Sequence, residues 1–167
     1  MYKINDTVIY RGSGICIIED IRTEQFGKAS GEYYVLTPVY ERISSRYFVP
    51  VGSENGKFFR LLEKEELDEL FDKAKKSEKV WIDDDKKRQE VFSQIIKSAD
   101  RPKIIRMIGE ICERQKEKAA AGKKLRAFDE QLLKEAQSLI ENEIAYVASI
   151  DRDEVRPYIL KRLCIKV

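Results

Sequence analysis

From Tyr2 to about Leu62, apolar and polar residues alternate in short runs rich in Val, Ile, Tyr and Phe, and most of the glycines lie in the breaks between them. Period two with β-branched and aromatic residues is the grammar of half-buried strands. It predicts strands at 7–10, 15–23, 33–38, 46–51 and 58–61, linked at 12–14, 27–31, 41–45 and 52–56. Strands this short and this closely spaced suit a small, strongly bent antiparallel module of the SH3 or Tudor type.

After Leu62 the period changes. Glycines nearly vanish, apolar residues recur at three- and four-residue intervals, and Lys and Glu fill the other positions, as in amphipathic helices. Helices are predicted at 65–75 and 83–98, the latter with Val91, Phe92, Ile95 and Ile96 on one face. A third opens at the Asp100 cap with Pro102 just inside, and presents Ile104, Ile105, Ile108, Ile111 and Cys112. The longest, 127–148, carries one stripe from Phe128 through Leu132, Leu133, Ala136, Leu139, Ile140 and Ile144 to Val147. Asp151 and Glu154 have the spacing of a capping box for a last helix, which either bends at Pro157 or starts there. The fold class is therefore α+β: a β module at 1–62, a connecting helix and linker at 63–80, and an all-α domain at 81–167.

Composition adds exclusions. The 167 residues are 43% hydrophobic, enough for one sizeable core or two modest ones. No apolar run approaches a membrane span and the first residues lack a signal-peptide layout, so a cytoplasmic protein is expected, without membrane association. There is no histidine, which removes the commonest general base, and Cys16, Cys112 and Cys164 are too scattered for a zinc site. All three cysteines are expected to be small buried residues. With 32 basic against 30 acidic residues, net charge neither requires nor forbids nucleic acid.

No phosphate-binding loop, dinucleotide fingerprint or nucleophile elbow is present, so no enzyme activity and no cofactor are expected. Gly12-Ser13-Gly14 lies between strands and reads as a tight turn. Asp83, Asp84 and Asp85 cannot converge on one ion from successive helix positions, and read as the capped start of a helix.

The run from Tyr2 to Cys16, with Asp6-Thr7-Val8-Ile9-Tyr10 followed by the glycine turn, resembles the opening of the CarD family and of the polymerase-interacting module of transcription-repair coupling factors. Tyr33-Tyr34-Val35-Leu36, Tyr47-Phe48-Val49-Pro50-Val51, and Trp81 followed by Arg88 resemble later pieces of the CarD pattern in the same order. No helicase motifs follow, which fits a stand-alone regulator. The resemblance implies a monomeric bacterial transcription regulator. Its β module would pair with the RNA polymerase β subunit through a sheet edge, and its helical domain would steady opened promoter DNA near the upstream edge of the bubble.

On that reading Trp81, Lys86, Lys87, Arg88, Lys123, Lys124 and Arg126 are the candidate DNA-binding residues. In relatives, basic residues follow the tryptophan; here the three aspartates do. Polymerase-contacting arginines of relatives align with Glu24 and Phe48, which leaves Arg22, Arg46 and Tyr47 as candidates for polymerase binding.

The residues also leave alternatives open. Trp81 is either an exposed wedge or a core aromatic, and each lysine either a phosphate contact or part of a solvated face. A polymerase adaptor that never meets DNA and a KOW- or Tudor-like RNA-binding module stacking bases on its tyrosines are the competing functions.

Overall fold

The computed structural model describes residues 1–10, 13–40 and 45–166. Of the expected links, Gly12 in 12–14 and residues 41–44 in 41–45 fall outside these. The chain forms two compact units, Met1–Leu62 and Glu63–Val167.

The first unit is one antiparallel sheet of β1 (Thr7–Tyr10), β2 (Gly14–Phe26), β3 (Ala29–Pro38), β4 (Tyr47–Pro50) and β5 (Phe58–Phe59), in the order β4-β3-β2-β1-β5. β2 and β3 run further than their apolar residues predict. Residues 24–26 and 29–32, mostly polar or small, pair with one another across a turn at Gly27, whose φ of 63° suits a residue without a side chain.

A register shift between Ile18 and Asp20 decides what each face carries. The extra residue, Glu19, reverses the alternation, so Cys16 and Ile18 point to the core before it and Ile21 after it. Val8, Cys16, Ile18, Tyr34, Leu36, Val49 and Phe58 fill that core. Asp20, Arg22, Glu24 and Phe26 are consequently sent to the other face.

The second unit contains α1 (Glu66–Lys76), α2 (Asp85–Ser98), α3 (Arg101–Ala120), α4 (Ala127–Ala148) and α5 (Arg152–Arg162). α3 is its axis: it touches the other four helices, and Ile104, Ile105, Met107, Ile108 and Ile111 are buried along it. α1 packs on α3 through a face that buries Leu67, Leu70, Phe71 and Ala74. Residues 63–80, expected as a connector, thus belong to the helical unit.

Asp84 and Asp100 cap α2 and α3 by accepting the backbone N–H of Lys87 and Lys103, and the backbone N–H of Asp151 donates to Glu154 at the start of α5. α5 continues through Pro157. Two expectations are corrected. Leu139 leaves the α4 stripe and is exposed, because only part of that face is covered by neighbours. Cys164 is exposed at φ 60°, where the chain leaves α5 in a left-handed turn, whereas Cys16 and Cys112 are buried.

Candidate functional sites on the two units

On the first unit the face opposite the core collects Arg22 and an aromatic group. Phe26 stacks edge-on against Tyr33 and Phe48 at centroid distances of 5.1 and 5.3 Å, and Phe26 is 48% exposed. The Arg22 guanidinium lies 5.9 Å from the Phe48 ring, bonds Glu24 at 2.7 Å and reaches Asp20 at 3.4 Å. That places Arg22 beside the two positions, Glu24 and Phe48, that stand where relatives have arginines.

Further along the same face, Arg46 forms a two-pronged pair with Glu19 at 2.9 and 3.1 Å. Thr37, donating to the same carboxylate, and Arg46 hold Glu19 below its usual range. Tyr47 does not join this face. One residue before Phe48, it turns to the core side, where its ring meets Tyr10 at 5.6 Å. Phe26 was missed as a site residue, because the parity reversal at Glu19 cannot be read from an alternating pattern.

On the second unit, Trp81 is half-buried on a polar scaffold just before α2. The backbone N–H groups of Val80 and Trp81 both donate to one oxygen of Glu110, at 2.9 and 2.6 Å, and Arg106 donates to the other at 2.9 Å. The indole N–H donates to Asp83 at 3.2 Å. Guanidiniums of Arg88 and Arg114 lie 4.4 and 5.2 Å from the ring, and Phe92 meets it edge-on at 6.2 Å. Trp81 is therefore neither a bare tip nor an apolar core residue.

Arg88 is corrected as a DNA contact. Only 2% exposed, it grips both oxygens of fully buried Asp129 at 2.9 and 3.0 Å, bonds Asp85 at 2.7 Å and donates to the Ile82 carbonyl at 2.7 Å. With every donor committed inside, it braces Trp81 and leaves no surface for a phosphate.

The aspartate run is consumed by the same construction. Asp83 holds the indole, Asp84 caps α2, and Asp85 is held low by its hydrogen bond from Arg88, with Arg126 and Lys118 adding to the effect. The Arg126–Asp85 pair, at 3.3 Å, ties residues 121–126 to the start of α2. Lys86, Lys87, Lys123, Lys124 and Arg126 are exposed. The structure thus joins Trp81, Arg88 and Arg126 through Asp85. Glu110 and Asp129, 29 and 41 residues from the groups they bind, carried no sequence signal.

Among the described residues no three His, Cys, Asp or Glu side chains come together as a metal site, and no helix is long and apolar enough to cross a membrane.

Comparison with known families gives the first unit its identity. Residues 2–56 match the CarD-like/TRCF RID domain, and this unit is a CarD-like RNA polymerase-interacting domain, a family of non-catalytic interaction modules. No curated protein matches the chain at a significant level.

Proposed function

We propose that the chain docks on the RNA polymerase β subunit through residues 1–62 and prolongs the life of the open promoter complex through its helical unit. The observation that carries this reading is the family match over residues 2–56, which spans β1 to β4 with Arg22, Phe26, Tyr33 and Phe48. An aromatic group with a stacked arginine is the composition favoured at the centre of protein interfaces. β4, at one end of the sheet, offers backbone groups that a polymerase strand could complete.

On the helical unit, Lys86, Lys87, Lys123, Lys124 and Arg126 supply phosphate contacts at the upstream edge of the bubble, while the edge of Trp81 meets the distorted step. The chain acts as a monomer in this reading.

Retention of purified RNA polymerase by the intact chain tests the docking, and the paired change Arg22→Glu, Phe48→Ala is expected to lower it at least about tenfold, as loss of a central interface contact does. A chain that fails to retain polymerase rejects the reading. With docking established, Trp81→Leu is expected to shorten the open-complex half-life. An adaptor without DNA contact is favoured by one feature, the two guanidiniums already lying against the ring. It predicts no change in Trp81 fluorescence when fork-junction DNA joins the polymerase complex.

A further inference from the structure

Every partly or fully buried arginine of the helical unit has a carboxylate within reach except one. Arg88 has Asp129, Arg101 has Glu143, Arg106 has Glu110, Arg114 has Glu117 and Arg162 has Asp68. Arg156, on α5, has Gln115 as its hydrogen-bond partner, and among the described residues no carboxylate lies within ion-pair distance of it. Arg156 is partly buried, and a guanidinium without a paired carboxylate can take an anion as its counter-charge.

Arg156 borders a cavity of about 340 Å³ between α3, α5 and the residues that follow α5. Its walls are apolar, chiefly Leu160, Ile165, Pro157 and Ala119, whereas the charged lining residues among those described are Arg156, Lys116 and Lys166, with no acid. Exposed Lys116 donates to the backbone carbonyl of Lys166 at 2.9 Å, and among the described residues no carboxylate pairs with it. Cys112 supplies no anion: burial pushes its thiol up, against the opposing influence of Arg156.

The wall formed by the last residues is built in. A side chain at Gly109 would come within 2.6 Å of Leu163 and 2.8 Å of Ile165, so the absence of one lets this segment lie against α3.

We propose that this cavity binds a small amphipathic anion, a monocarboxylate whose head group meets Arg156 and Lys116 and whose apolar body, of about ten heavy atoms, lies against Leu160 and Ile165. The site is independent of polymerase docking and is tested on the free full-length chain.

Octanoate is titrated into the protein and followed by backbone amide NMR, with octan-1-ol and inorganic phosphate as probes that keep only the chain or only the charge. Saturable shifts at Cys112, Leu160 and Ile165 are expected for octanoate, with either control weaker by about tenfold or more, as befits a charge-assisted contact added to apolar burial. Arg156→Gln, which keeps a hydrogen-bonding side chain, is expected to weaken octanoate by a similar factor. Ala119→Trp, at an exposed position on the rim, is expected to block it. Absence of saturation, equal binding of octan-1-ol or of phosphate, or indifference to both substitutions overturns the proposal.

Discussion

Glu110 holds three donors with one carboxylate, two of them the backbone N–H groups that fix where Trp81 stands. Only 4% exposed, it has no water to replace a lost bond. Glu110→Gln retains the shape but can no longer satisfy all three donors, and is expected to cost about 1–3 kcal/mol in a urea titration. Because Trp81 is the sole tryptophan, the same variant is expected to shift its emission to the red as the ring loosens. Unchanged emission would show that Arg88 and Asp83 suffice to hold it.

Tyr34 presents a different residue-scale problem. It is completely buried, and burial together with the Glu54 carboxylate beside its hydroxyl pushes its pKa up to about 12. The folded state therefore keeps a proton that the unfolded chain loses near pH 10. Stability is unaffected below about pH 10 and falls as pH rises from there towards 12. Tyr34→Phe is expected to abolish that part of the alkaline dependence while leaving stability at pH 7 within about 1 kcal/mol of the parent. Chemical denaturation at a series of pH values reads both effects.

Among the elements, Gly109 lies inside α3, where a glycine ordinarily costs about 1 kcal/mol relative to alanine. Gly109→Ala therefore sets a helix gain against a clash with Leu163 and Ile165. Since both clashing atoms are ends of side chains, the expected outcome is displacement of the last residues with little global change. Hydrogen exchange should accelerate at the Leu163 and Ile165 amides, which now bond to Ile159 and Leu160. Undisturbed exchange there would mean the segment accommodates the methyl in place.

How legible each element was follows from what holds it. The 127–148 helix coincides with α4, and 7–10 with β1, because apolar spacing alone defines them. The long β2–β3 hairpin was only half visible. Its outer part pairs Glu24 with Gly31 and Gln25 with Ser30, residues whose polarity and small size read as a loop. The site was legible in its parts and illegible in its assembly. Trp81 and its charged neighbours could be named, but Arg88 reads as surface charge until α4 delivers Asp129 to it, and Asp85 reads as an obstacle to DNA until Arg88 and Arg126 occupy it.

For the whole molecule, the division into two units makes a thermodynamic prediction. Arg88→Met strands the buried Asp129 carboxylate and is expected to cost about 3–5 kcal/mol. The loss should be confined to the helical unit: the helical signal at 222 nm unfolds earlier, while amide protection in β2 and β3 persists to the original denaturant concentration. Simultaneous loss of both would show that the units unfold as one. Such independence suits a first unit that matches a polymerase-interacting domain family within its own boundaries.

The outer part of the β2–β3 hairpin also bears on how the protein behaves at high concentration. Beyond Ile18, the side of β2 away from β3 has no strand beside it among the described residues. A bare strand of this kind invites copies of itself to add on, the first step towards fibrils. The side chains of Asp20, Arg22 and Glu24, alternating in sign, would meet like charges in many registers of such an addition and so act as gatekeepers against it. Removing those charges while keeping β-forming residues would leave an edge that any extended strand, including another copy of itself, could join.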